Sequence, residues 1–191
     1  MRILITGITG FAGGHLADLL SAKKGARVYG LARRPGRFQK RVFACDMRDS
    51  RKLEALVGRI KPDRIFHLAA QSSVAFSWAN PKETFEQNLI GTLHLLEAAR
   101  KKCPGARIQI AGSAQEYGVP LKKITRISES VPVNPLSPYA ISKAAQDFLA
   151  CQYSGHFGMK IVRTRAFNHT GPRQTPDFVA SSFEMSTPRA I

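Results

Sequence analysis

The sequence predicts an α/β protein, a doubly wound parallel sheet with helices on both faces. Three observations lead there. Short apolar runs rich in β-branched residues alternate with longer stretches of helical period, the pattern of strand–helix–strand units. The first run, Met1 to Thr6, passes directly into Gly7-Ile8-Thr9-Gly10-Phe11-Ala12-Gly13-Gly14 and then into a helical pattern. The chain has 191 residues, 43% of them apolar and 22% charged, which is enough for one domain with a sizeable core.

Strand, glycine turn and helix together make a seat for a diphosphate. Gly7 permits the tight turn, Gly10 lets the backbone approach the phosphates, and Gly13 lets the helix lie close on the strand. The helix start supplies free N–H groups and a partial positive charge. Thr9 and Phe11 lie within the same turn. Arg27 to Leu31 reads as a second strand, followed by Arg33 and Arg34. In a dinucleotide-binding fold this strand end meets the adenosine ribose. An acidic residue there binds the 2′-hydroxyl, and arginine accommodates a 2′-phosphate. Arg33 and Arg34 therefore favour NADP over NAD; the alternative is a pair of solvated loop arginines.

Arg41 to Ala44 forms a short third strand, with Asp46 and Met47 just beyond it as expected cofactor-binding residues. Asp46 either accepts from the adenine amino group or caps the helix that begins near Asp49. Ile65 to Ala70 reads as a fourth strand running beneath the cofactor, where Leu68 and the small Ala69 and Ala70 leave room for it. His67 in this run reads as a packed core histidine. Pro81 to Lys102 is a long helical pattern, with Pro81 in its first turn and Phe85, Leu89, Leu93 and Leu96 at helical spacing. Pro104-Gly105 stops it. Arg107 to Ala111 is the fifth strand, Ser137-Pro138-Tyr139 opens a helix running to about His156, and Met159 to Thr164 is the sixth strand. Residues 1–165 form the dinucleotide-binding domain, and 166–191 begin a second lobe.

The net charge is +16, from 29 Lys and Arg against 13 Asp and Glu. Small basic clusters stand at Arg33-Arg34, Lys101-Lys102 and Lys122-Lys123, without a basic tail or a recognised nucleic-acid motif. They read as a solvated surface that steers anionic ligands, with no specific nucleic-acid partner. Cys45, Cys103 and Cys151 are scattered and odd in number, which points to reduced thiols and to no disulfide framework or metal site. No apolar stretch approaches the roughly 18 residues of a membrane helix. The N-terminal run, broken by glycines, His15 and Asp18, lacks a signal-peptide layout. The expectation is a cytoplasmic protein with no membrane partner.

Tyr139-Ala140-Ile141-Ser142-Lys143 sets a phenol and an ammonium four residues apart, on one helical face. A neighbouring ammonium favours the phenolate and lowers the phenol pKa from its ordinary value near 10, so the phenol exchanges protons nearer neutrality. Ser113 stands at the end of the fifth strand, placed to donate a hydrogen bond to a substrate oxygen.

Thr6-Gly7-x-x-Gly10-Phe11-x-Gly13, Gly112-Ser113-Ala114, Tyr139-x-x-x-Lys143 and Arg165-Ala166-Phe167-Asn168 together resemble the extended short-chain dehydrogenase/reductases that act on nucleotide sugars. The run Phe167 to Pro172, with Gln174 and Asp177-Phe178-Val179, looks closest to the GDP-4-keto-6-deoxy-mannose reductases. The resemblance implies a Rossmann-like fold and NAD(P)H-dependent reduction of a nucleotide-linked 4-keto sugar, of the GDP-rhamnose-forming type. A 4-epimerase or dehydratase of the same family, or a dinucleotide-binding module without turnover, are the alternatives. It implies Ser113, Tyr139 and Lys143 as catalytic residues, and Asn88 as support for the lysine through a backbone-linked water. It places Phe167 at the cofactor, and Ala114, Gln115 and Asn168 at the nucleotide sugar. It also implies a homodimer through helices 81–102 and 139–156, to which Phe85, Leu89, Leu93 and Leu96 contribute.

Two positions depart from the pattern. The related dehydratases carry a glutamate two residues after the catalytic hydroxyl residue, needed to remove a proton. Here Gln115 stands there and cannot act as a base. Glu116 is adjacent, but on an extended chain it faces the opposite way, so dehydration is disfavoured. The reductases usually have glycine where this chain has Arg173. Family chains are also longer, and Glu184 to Ile191 no longer follow the family; most of the substrate lobe is expected to be missing.

Overall fold

The structure is a computed structural model that describes residues 1–36, 41–118 and 126–174. Lys122, Lys123, Asp177 to Val179 and Glu184 to Ile191 lie outside the described residues. Six strands form one parallel sheet in the order β3-β2-β1-β4-β5-β6. In chain order they are β1 Arg2–Thr6, β2 Arg27–Ala32, β3 Val42–Ala44, β4 Arg64–His67, β5 Arg107–Ser113 and β6 Lys160–Ala166. The helices are α1 Phe11–Ser21, α2 Ser50–Ile60, α3 Val74–Ala79, α4 Pro81–Phe85, α5 Gly91–Lys102 and α6 Pro138–Phe157. This is the Rossmann-like, doubly wound arrangement.

The period of two along the strands sorts side chains between two helix layers. Leu4, Leu31, Ile65, Ile108 and Ile110 point into the larger core, against Leu53 and Val57 of α2, Leu95 and Ala99 of α5, and Ala150 of α6. Ile3 and Ile5 point the other way, against Leu20 of α1 and Ile8. Asp49 caps α2, accepting from the Lys52 N–H. The cap is thus not Asp46, which is committed elsewhere.

The long helical pattern is continuous but not regular. Between α4 and α5, Glu86–Ile90 form one π turn. Such an insertion rotates the register of the helix face, a device common at functional sites. Leu96 is fully buried in the main core, while Phe85, Leu89 and Leu93 are half-buried. Among the large apolar side chains of the run 81–102 and of α6, the most exposed are Phe148 (56%), Phe157 (45%), Ile141 (44%) and Ile90 (38%).

Five of the six strands begin with a cation: Arg2, Arg27, Arg64, Arg107 and Lys160. The register sets Arg64, Arg107 and Lys160 side by side across β4, β5 and β6. Like charges directly opposite each other are destabilising, and water at the sheet's end screens them. Because the strands are parallel, this row lies at the end opposite the glycine turn. These five residues therefore place their charge away from that turn. Among the described residues no helix is long and apolar enough to cross a membrane.

Candidate active site

The glycine turn closes as its spacing predicts. Gly7 has φ of +70°, and a Cβ on it would lie 2.8 Å from the Ala69 backbone nitrogen. A Cβ on Gly13 would strike the Gly7 carbonyl oxygen. Gly10 is the N-cap of α1, with no side-chain cap and no acidic residue in the first turn. The helix thus opens with uncapped N–H groups beside exposed Thr9 and Gly10, and Phe11 is half-buried next to them. An uncapped, acid-free helix start in a cradle that side chains would fill fits a diphosphate.

The neighbouring strand ends converge on this turn. Leu68 and Ala69 are tied to β1, through the Thr6 carbonyl and Thr6 Oγ1 respectively, and Ala70 is exposed. Arg33 and Arg34 follow β2 and are exposed; Arg33 Nη1 lies 3.9 Å from a Glu83 carboxylate oxygen. Asp46 follows β3, but its carboxylate is gripped by Arg48 through both oxygens, at 3.0 and 2.7 Å. That side-chain bonding holds Asp46 below the usual carboxylate range. The adenine-accepting role expected for Asp46 would therefore compete with Arg48. Met47 corrects the expectation more sharply: it is 4% exposed, packs in the main core, and presents its carbonyl to His94 Nδ1.

Ser113, Tyr139 and Lys143 are brought together by the end of β5 and the first two turns of α6. Ser113 caps the 3-10 turn Ala114–Tyr117, its hydroxyl accepting from the Gln115 N–H at 3.2 Å. That turn replaces the extended chain the sequence reading assumed. Glu116 therefore curls back: one oxygen accepts from the Ser113 N–H at 2.7 Å, the other lies 3.1 Å from Arg165 Nε, and the side chain is fully buried. Arg165 also bonds Asp147, which Arg163 shares. Burial pushes the Glu116 carboxyl above its ordinary value, against the Ser113 N–H. Gln115 is exposed and Ala114 half-buried.

The phenol differs from expectation. Burial raises the Tyr139 pKa, the adjacent Ser113 hydroxyl works in the lowering sense, and the nearby Glu116 charge adds to the rise. The Lys143 ammonium is only 3% exposed and bonds the Ala111 carbonyl and Gln146 Oε1. Burial brings its pKa down to about 8, with Glu116 the countercharge. Asn88 sits within the π turn and does not touch the lysine. Its amide bonds both backbone groups of Gln71 and, at 2.9 Å, Ser142 Oγ, one residue before Lys143.

Sequence reading missed Gln146, Thr92, Arg165 and Asp147. A signal existed: Asn88 and Thr92, Ser142 and Gln146, and Lys143 and Asp147 are polar pairs four apart among apolar positions. His67 is a packed core histidine as read, between Thr6 and Thr92, its pKa brought down to about 3 by burial.

The segment after β6 returns to α1. Phe167 and Asn168 are exposed. His169 stacks on Phe11, His15 Nε2 meets the Pro172 carbonyl at 2.9 Å, and Arg173 bonds Asp18 at 2.9 Å and His15 Nδ1 at 2.8 Å. Arg173 has φ of +70°, the region that favours glycine. The position thus keeps a glycine-like backbone, and the arginine side chain clamps the segment to α1.

A doubly wound parallel sheet with a glycine turn opening α1 defines a dinucleotide-fold protein, and the comparisons are narrower. The chain belongs to the GDP-mannose 4,6 dehydratase family, whose model matches residues 4–187. It is 33% identical over 199 residues to a GDP-mannose 4,6-dehydratase of Vibrio cholerae, covering 93% of this chain and 52% of that protein. It is 32% identical over 181 residues to the GDP-6-deoxy-D-mannose reductase of Pseudomonas aeruginosa, covering 95% and 56%. Its structure resembles the UDP-glucose 4-epimerase of Thermus thermophilus in complex with NAD (TM-score 0.85, 36% identity, 97% of this chain and 61% of that one). It also resembles RMD from Pseudomonas aeruginosa complexed with NADPH (TM-score 0.81, 31% identity, 95% and 58%). The chain spans about half the length of the curated relatives it matches. Those relatives are enzymes acting on nucleotide sugars, and the structural neighbours hold either NAD or NADPH.

Proposed function

We propose that the protein reduces a nucleotide-linked 4-keto-6-deoxy sugar, of the GDP-4-keto-6-deoxy-mannose to GDP-rhamnose type, with NADPH. The observation that carries this is the state of the acids beside Ser113. Gln115 occupies the position where a dehydratase needs a base, and Glu116 is buried against the Ser113 N–H and Arg165. Among the described residues no free carboxylate stands beside the hydroxyl to remove a sugar proton. What the site offers is donors. Burial keeps the Tyr139 phenol protonated at neutral pH, the form that gives a proton to a ketone oxygen becoming an alcohol. Ser113 orients that oxygen, and Lys143 holds the nicotinamide ribose. The glycine turn and the start of α1 take the diphosphate, Arg33 and Arg34 the 2′-phosphate, and Leu68, Ala69 and Ala70 line the cofactor's floor. Phe167 and Asn168 face the nicotinamide end and the sugar nucleotide. The dinucleotide, when bound, supplies the hydride.

The test is a pair of incubations. With GDP-4-keto-6-deoxy-mannose, NADPH should be consumed one for one with product. With GDP-mannose and catalytic NADP, no keto sugar should form. Dehydration in the second tube overturns the reductase reading. Tight retention of NAD with sugar interconversion and no net oxidation makes the protein an epimerase. Binding without turnover in either tube makes it a dinucleotide module.

We also propose a homodimer, in which Ile90, Ile141 and Phe148 on the helices 81–102 and 139–156 meet their copies across a two-fold axis. Leu96, committed to the core, takes no part. Light scattering at micromolar concentration should give twice the 21.0 kDa chain mass; a monomer refutes it.

A further inference from the structure

Gln146 lies one turn beyond Lys143 on α6 and is 1% exposed. A buried amide needs partners on both sides, and it has them. Its Oε1 accepts from the Lys143 ammonium, and its Nε2 donates to Thr92 Oγ1 at 2.7 Å. Thr92 spends its own proton on the Asn88 carbonyl at 2.6 Å. Its oxygen can then only accept, so His67 Nε2, at 2.9 Å, must carry a proton. The other ring nitrogen of His67 accepts from Thr6 Oγ1 at 2.7 Å. Donor and acceptor roles are thus assigned along the whole run from Thr6 to Lys143. A flipped Gln146 would set NH2 against ammonium and carbonyl against a threonine oxygen with no proton left to give. The network permits one orientation of the amide, the one that faces its oxygen to Lys143.

The ammonium has three N–H groups. Ala111 and Gln146 take two, and the third has no partner among the described residues. We propose that Gln146, locked by Thr92 and His67, is a positioning residue that fixes the Lys143 ammonium with its remaining N–H presented to a ribose hydroxyl of a bound dinucleotide. The destination of that N–H rests on the cofactor role proposed above for Lys143. An amide suits the task better than a carboxylate: it accepts without neutralising, so the positive charge stays available. The charged and titratable groups facing Lys143 are Glu116 from the 3-10 turn, neutral His67 from β4 and Tyr139 on its own helix, with Arg165 and Asp147 behind Glu116.

The test reads Lys143 directly. In protein carrying 13C-labelled lysine, the Lys143 Cε shift is followed against pH, its signal assigned by its loss in Lys143→Arg. Gln146→Leu removes the acceptor and should move the midpoint down by about one pH unit, the worth of a hydrogen bond to a charged group. Gln146→Glu adds a negative charge and should move it up. NADPH affinity at pH 7.5 should fall on the order of tenfold in Gln146→Leu and less in Gln146→Glu. A folded Gln146→Leu variant that titrates and binds as wild type overturns the proposal. If the leucine variant folds poorly, the glutamate variant decides: an unmoved midpoint overturns it as well. Wild type that binds no dinucleotide, while the midpoint still moves as expected, refutes the cofactor reading and with it the destination of the free N–H, but not the holding of Lys143 by Gln146.

Discussion

The two ends of the proposed cofactor cleft are built on opposite plans. Around Lys143, buried polar atoms from β1, β4, α5, β5 and α6 bond one another in a single assigned pattern. At the ribose end, Arg33 and Arg34 stand in water with one 3.9 Å contact to Glu83 between them. Under the proposed function the difference follows from what each end would have to do. Proton and hydride transfer tolerate little misplacement; about 1 Å can cost roughly a hundredfold. Recognising a phosphate needs only charge within reach, and flexible arginines adapt to it. Damage at the Lys143 end should therefore be steep, and damage at the arginine end graded and selective.

The largest break should come from Tyr139→Phe. Losing the proton donor should lower turnover by roughly 10²–10⁴-fold while NADPH affinity stays within about threefold. Equal losses in both would mean that the phenol serves binding, and that the contrast between the ends is misdrawn. The next is the double change Arg33→Ala with Arg34→Ala. Charge-assisted contacts are worth on the order of 1.5–3 kcal/mol each, so NADPH should weaken at least tenfold and NADH hardly at all. Wild type binding both cofactors equally removes the selective role of that end.

A smaller effect sharpens the comparison through stability. Burial holds Lys143 near pKa 8, below the ordinary 10.5 of an unfolded chain. Between those values the unfolded chain holds the proton and the folded one does not, so stability rises with pH; below about 8 the folded state carries the whole cost. Lys143→Met removes that cost and leaves two acceptors unpaired. Its melting temperature relative to wild type should be most favourable below pH 8 and decline toward pH 10.5. A difference that ignores pH would show the ammonium is not desolvated. The smallest effect belongs to the exposed clamp on α1. Asp18→Ala removes the ion pair with Arg173, worth about 0–1 kcal/mol at a surface. Thermal melts should barely move, and a large loss would show that the segment after β6 is structurally central.

Strand and helix positions were legible because apolar period is a local property. β1, the glycine turn, α2 behind its cap Asp49 and the opening of α6 at Pro138 stand where composition and spacing put them. Gly7 was readable for the same reason: its positive φ is a demand of the turn itself. The π turn was not legible, since one extra residue in a helix leaves the apolar pattern nearly intact. Glu116 was misread because its direction depends on whether four residues after β5 extend or coil, and Ser113 decides that by capping them.

The sequence by itself determined the sheet, the order of its elements and the identity of the chemical groups at its carboxyl edge. Those follow from side-chain period, turn residues and capping, which act over a few neighbours. Only the tertiary structure decided which of those groups are free to act. Asp46 is taken by Arg48, Glu116 by the Ser113 N–H and Arg165, and Lys143 by Ala111 and Gln146, which stand between two and 49 positions away along the chain. A buried charge or amide must find its partner wherever packing delivers one. For Arg165 on Glu116 and Ala111 on Lys143 that pairing is a property of three-dimensional neighbourhood alone; Arg48, Ser113 and Gln146 stand within three positions of their partners, and there packing decides which of the local contacts is made.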